Sequence, residues 1–150
     1  MPATISNAEQ EEFVRFFAEG WAKGARGGLE HFIGGAHPDV LLVQPLMPTT
    51  RGLASFRAGF ERLFAAIPDM HGEVIRWGPT DDGVLIELTL RGTLGGRPLE
   101  WTVVDRIVLE DGLIRSRHSY FDSLPLLRAM ATRPRAALRL LPVLIRKGDR

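Results

Sequence analysis

The chain has 150 residues, enough for one domain with a sizeable core, and its 45% hydrophobic and 25% charged residues are ordinary for a soluble globular protein. The absence of cysteine excludes disulfides, thiol chemistry and cysteine-based zinc sites. The net charge of +1 conceals an asymmetry: 12 Lys/Arg stand against 17 Asp/Glu over residues 1–124, and 7 against 1 over 125–150. An acidic body with a basic tail is not the footprint of a nucleic-acid-binding face. No apolar run approaches the roughly 18 residues needed to span a bilayer. The polar start, MPATISNAEQEE, lacks the layout of a secretory signal, so a cytoplasmic protein is expected.

Residues 7–24 read as an amphipathic helix, with Asn7 as N-cap, Gln10 as its capping-box partner and acids in the first turn. Phe13, Phe16, Phe17 and Trp21 recur at helical spacing and form its buried face. Gly24, Gly27 and Gly28 end it. A short helix over 29–33 carries His31 as a surface or packing residue. His37-Pro38-Asp39 is expected to turn the chain into an apolar strand over 40–46. Pro45 puts that strand at a sheet edge or ends its pairing. Gln44 shares a face with Val40 and Leu42 by alternation, or sits at the strand end in solvent.

A helix over 52–67 buries Leu53, Phe56, Phe60, Leu63 and Phe64 and turns Arg57, Glu61 and Arg62 to water. A strand is expected over 73–77, with His71 and Glu73 on a solvated face, and residues 79–83 form a turn.

Residues 83–122 read as three antiparallel strands. Gly95-Gly96 suits a two-residue hairpin, which pairs Leu94 with Arg97, Leu88 with Val103 and Ile86 with Asp105. LEDGL at 109–113 suits a three-residue loop with Gly112 left-handed, which places Arg117 opposite Asp105 and Ser119 opposite Val103. Alternation then gathers Ile86, Leu88, Leu90, Trp101, Val103, Asp105, Ile107, Arg117, Ser119 and Phe121 on one face, apolar but for Asp105, Arg117 and Ser119. His118 and Tyr120 fall on the opposite face, toward water or a partner subunit. Asp105 has two readings: a salt bridge closed by Arg117 and structural in role, or, with Arg117 turned outward, a poised acid or base.

Prolines at 125, 134 and 142 forbid one straight tail helix. Short helices packed over the body are preferred to a basic amphipathic segment on an anionic membrane. The organisation expected is a domain over 1–124 and a basic, Pro-interrupted helical tail over 125–150.

The helix start around Pro45 to Phe56, IPDMHGEV at 67–74 and WTVVDRIVLEDGLIRSRHSYFD at 101–122 resemble the NTF2-like superfamily and its SnoaL-like group over about residues 8–125. The resemblance implies an α+β roll of the cystatin-like kind, with a curved antiparallel sheet wrapped around N-terminal helices to form a cone-shaped pocket. It also implies a homodimer and no cofactor; four scattered histidines without ligand spacing argue against a metal site.

Asp105 matches the protonated aspartic acid of ketosteroid isomerases. Gln44 stands where their base aspartate precedes proline, and Phe16 or Phe17 where they carry tyrosine. Ser119 replaces the final Asp of the limonene-type epoxide hydrolase triad, and Ile86 and Leu88 replace its Arg and Asp. Gln44 can stand in for the Asn that holds the water. The SnoaL-type cyclase Asp also aligns with Ser119. The expected activity is cofactor-independent acid/base chemistry of isomerase, cyclase or lyase type on a small, largely apolar molecule. Asp105 is its catalytic residue, and Gln44, Arg117 and Ser119 bind oxygens. Phe17, Trp21, Leu88, Trp101, Val103 and Phe121 line the wall. The alternatives are a non-catalytic binder of a small hydrophobic ligand, or an epoxide hydrolase relative without the usual triad.

Overall fold

The computed structural model describes residues 4–144. Its elements are α1 (Asn7–Lys23), α2 (Gly28–Gly34), β1 (Ala36–Val43), β2 (Thr50–Arg51), α3 (Leu53–Ala66), β3 (His71–Thr80), β4 (Gly83–Leu94), β5 (Arg97–Glu110), β6 (Leu113–Tyr120), α4 (Leu124–Thr132), α5 (Pro134–Ala137) and α6 (Leu141–Leu144). The strands form one curved six-stranded sheet in the order β2-β1-β6-β5-β4-β3. Neighbours are antiparallel except β1 and β6, which run parallel. This is the α+β layer arrangement expected, a sheet with its helices gathered over one face. Among the described residues no helix is long and apolar enough to cross a membrane.

The cap of α1 is Ser6 and not Asn7. Ser6 Oγ accepts from Glu9 N at 3.3 Å, and Glu9 Oε2 accepts from Ser6 N at 2.8 Å, a complete capping box. Both Ser6–Glu9 and Asn7–Gln10 have the spacing, but ionised Glu9 is the stronger acceptor and Gln10 lies on the buried face of the helix. Gln10 instead donates from Nε2 to Thr80 O at 2.9 Å and to Gly83 O at 3.0 Å, tying α1 to the β3–β4 turn. Phe13, Phe17 and Trp21 are buried as the spacing predicts, and Trp21 meets Phe32 and Phe60 at ring distances of 5.5 and 5.9 Å. This aromatic layer joins α1, α2 and α3 over the sheet. His31 stacks on Phe16 at 4.2 Å and is a packing residue.

Three strand expectations are corrected. His37, Pro38 and Asp39 lie inside β1, which begins at Ala36 and ends at Val43, so Gln44 and Pro45 follow the strand. Arg115 Nη1 donates to Asp39 O at 2.6 Å there. Strand β3 runs from His71 to Thr80, longer than its apolar residues announce, with an irregularity between Val74 and Arg76. The β5–β6 turn is a two-residue one. Asp111 (φ 52°) and Gly112 (φ 76°) are both left-handed, and Glu110 pairs with Leu113.

A bulge between Val108 and Leu109 then shifts the pairing by a further residue. The two single-residue shifts add to two, so every side chain keeps its expected face while its partner changes. Ser119, not Arg117, is opposite Asp105, and Arg117 is opposite Ile107. The β4–β5 hairpin has the expected register, with Gly95 and Gly96 at φ 61° and 74°.

The tail folds as short helices, each with a proline in its first turn. Leu126, Ala129, Leu140 and Val143 are buried against the body, while Leu124, Leu127, Leu138 and Leu141 stay exposed.

Candidate functional site

Asp105 is carried by the middle of β5, and its side chain points from the sheet toward the helices with no exposed surface. Both of its oxygens are engaged. Arg117 Nε donates to Oδ2 at 2.7 Å, and Ser119 Oγ donates to Oδ1 at 2.5 Å. The two donors are two apart on β6, so alternation brings both to the same face as Asp105. The closed salt bridge is therefore the arrangement seen. The Arg117 guanidinium also lies over the Trp21 ring at 5.4 Å and near the Phe17 ring at 6.0 Å, within cation–π range. Arg117 is thus fixed by a carboxylate below and an indole beside it, with 6% of its surface exposed.

Above this pair lies a cavity of about 80 Å³ between the sheet, α1, α3 and the tail. That is room for several waters or a small organic group, since one water needs roughly 10–15 Å³ in such a measure. Of the expected wall residues, Gln44, Arg117, Ser119, Trp21, Trp101, Val103 and Phe121 line it. Asp105, Phe17 and Leu88 do not. Phe17 and Leu88 are core residues behind the wall, because the cavity lies closer to α3 and the tail than the sheet register alone suggests. Asp105 is screened by its own two donors.

Several lining residues escaped sequence reasoning, among them four side chains of the α3 stretch. Phe60, Leu63 and Ile67 of the α3 stretch line the cavity, as does Arg62, expected on the wet face of that helix. Helical spacing from Phe60 through Leu63 to Ile67 was a signal for the first three. Arg62 gave none, because a long side chain can curl from a helix flank into a neighbouring hollow. Met47 and Met70 come from the loops before β2 and β3, and Leu126, Leu140, Val143 and Leu144 come from the tail.

His118 and Tyr120 stand outside. Their rings stack at 4.4 Å on the convex face, where Tyr120 is 52% exposed. His71 and Glu73 are exposed as well, and Glu73 pairs with Arg91 at 3.1 Å.

A family model of the SnoaL-like domain matches residues 11–117. The chain belongs to the SnoaL-like domain family. Solved structures share the fold at low identity. PrhC from Penicillium brasilianum NBRC 6234 superposes with a TM-score of 0.73 and 16% identity over 90% of this chain and 95% of its own. A candidate SnoaL-like polyketide cyclase from Jannaschia sp. CCS1 gives 0.72 and 20% over 87% and 95%. An LEH-like epoxide hydrolase from M. tuberculosis gives 0.68 and 17% over 87% and 96%. A search of curated proteins found no match. The SnoaL-like cone is thus shared by these proteins, and at such identities the likeness is one of fold alone.

Proposed function

We propose that this SnoaL-like chain binds a small, largely apolar molecule in the cavity between α3, the sheet and the tail, through oxygen contacts to Arg117, Ser119 and Gln44. The observation that carries the reading is a charged, hydrogen-bonding group fixed in an apolar wall: Arg117, held at 2.7 Å by a fully buried Asp105. Concave apolar sites with a few placed polar groups are the usual form of small-molecule sites. Asp105 acts here as a positioning residue, since both oxygens are occupied and neither reaches the cavity wall. The neighbours named as a polyketide cyclase and an epoxide hydrolase agree with a small organic ligand.

The test is a crystal soak with small apolar ketones, epoxides, lactones and acids. Density in the cavity touching Arg117 is the expected result, and an empty cavity with ligand elsewhere rejects the reading.

A second reading keeps acid/base catalysis. Ser119 lines the cavity and donates to Asp105 at 2.5 Å, so a substrate proton has a path to Asp105 through the serine hydroxyl. It requires that Ser119→Ala abolish turnover while ligand binding persists. Turnover unchanged in both Ser119→Ala and Asp105→Asn removes the path.

Homodimerisation through the convex face belongs to the same proposal. Leu85, Val104 and Tyr120 are exposed there, on adjacent strands. Light scattering of the intact chain checks it, with twice the chain mass expected and the monomer mass as the contrary result.

A further inference from the structure

We infer that the cavity's ligand is an apolar monocarboxylate, received by Arg117, Arg62 and the indole N–H of Trp21; the inference rests on the cavity being a ligand site. The first observation is a charge census. Among the described residues the only ionisable side chains lining the cavity are Arg62 and Arg117. Asp105, behind the wall, neutralises one of these cations. Among the described residues one positive charge is left over in a largely apolar hollow, and no acid, histidine or tyrosine lines it.

The second observation is a surplus of donors. Trp21 is 99% buried, and among the described residues its Nε1–H has no hydrogen-bond partner, nor has the buried Nε of Arg62. Of the Arg117 nitrogens, only Nε makes a hydrogen bond among the described residues. Buried donors without acceptors are rare in native proteins, because each costs free energy that a partner restores. The cavity's own acceptors are few: Gln44, Thr50 and Ser119, whose proton is already given to Asp105.

An occupant that answers both observations has no donors to add, accepts several hydrogen bonds and carries one negative charge. A carboxylate is an acceptor-only group with two oxygens, and its planar geometry suits a guanidinium. A ketone, epoxide or amide supplies an acceptor and leaves the charge unanswered. A phosphate monoester brings close to two charges and overshoots. Apolar walls from Leu42, Phe60, Leu63, Trp101 and Val103 take the hydrocarbon part.

The experiment is calorimetry of the full chain with butanoate, hexanoate and phenylacetate, each beside its primary amide. Acids are expected to bind about tenfold tighter than their amides. Arg62→Gln is expected to close most of that gap, and Arg62→Lys to keep it. Arg117 is left intact in these variants, because its loss strands Asp105. Repeating the titration in 0.5 M salt separates the cavity from the basic tail, since contacts on an exposed tail are screened and those in the cavity much less so.

A gap that survives salt and closes in Arg62→Gln supports the inference. Acid and amide binding equally, a gap that vanishes in salt, or a gap untouched by Arg62→Gln overturns it and leaves the small-molecule reading standing. Failure of both acids and amides, together with neutral ketones and lactones, overturns both.

Discussion

Replacing Asp105 by Asn keeps the shape of the side chain and removes the charge that Arg117 answers. With a buried guanidinium left unpaired, the expected loss of stability is about 3 kcal/mol, read from urea unfolding. Ser119→Ala removes one hydrogen bond to the same carboxylate and should cost less, about 1–2 kcal/mol. Equal and negligible effects of both would mean that the pair does not hold the sheet face together. A second carboxylate has a pH signature. Asp69 accepts from Thr93 Oγ1 at 2.6 Å and from Thr93 N at 2.9 Å, pinning the turn before β3 to β4. These bonds, the hydroxyl first, hold its pKa below the usual aspartate value. The folded pKa lies under the unfolded one, so the stabilisation is complete above the unfolded pKa and is lost as pH falls through the folded one. Thr93→Val should return the Asp69 titration, followed by NMR, toward the ordinary aspartate range.

At the scale of elements, α1 and the β3–β4 hairpin are joined through Gln10. Gln10→Leu leaves the Thr80 and Gly83 carbonyls without their donor and should cost about 2 kcal/mol by denaturant unfolding. Neighbouring Gly83 admits no side chain, since a Cβ would lie 1.8 Å from Ile107 O. The elements were legible in the sequence wherever period and turn chemistry agreed. The aromatic face of α1, the Gly95-Gly96 hairpin and the face shared by Asp105, Arg117 and Ser119 all follow from spacing. The Asp111-Gly112 hairpin shows the limit. An Asp-Gly pair serves two turn types, and a bulge has no sequence mark, so the partner of Asp105 was displaced while its face was not. Ser6 and Asn7 compete for one cap in the same way, and the stronger acceptor Glu9 together with the burial of Gln10 decides between them. The cavity was legible on its sheet side alone. Its α3 and tail sides depend on how helices settle over the sheet, which no local period encodes.

For the whole molecule, the tail is the element that closes the cavity. Leu126, Val143 and Leu144, on helices too short to persist alone, and Leu140, in the turn between α5 and α6, contribute to its lining. We propose that the tail is a cover separable from the domain before it. A chain ending at Ser123 should keep the circular dichroism of the sheet and gain fluorescence of a bound apolar dye, through the surface that Leu126, Ala129, Leu140 and Val143 now bury. Loss of the sheet signal instead would make the tail part of the core.

The central claim, that this cavity is where a small molecule binds, is open to one direct measurement, because the chain has three tryptophans and only two of them line it. Titration of the ¹⁵N-labelled chain with a small apolar ligand should shift the indole N–H signals of Trp21 and Trp101 and leave that of Trp77 in place. A saturating titration that moves Trp77 alone, or none of the three, would contradict the account.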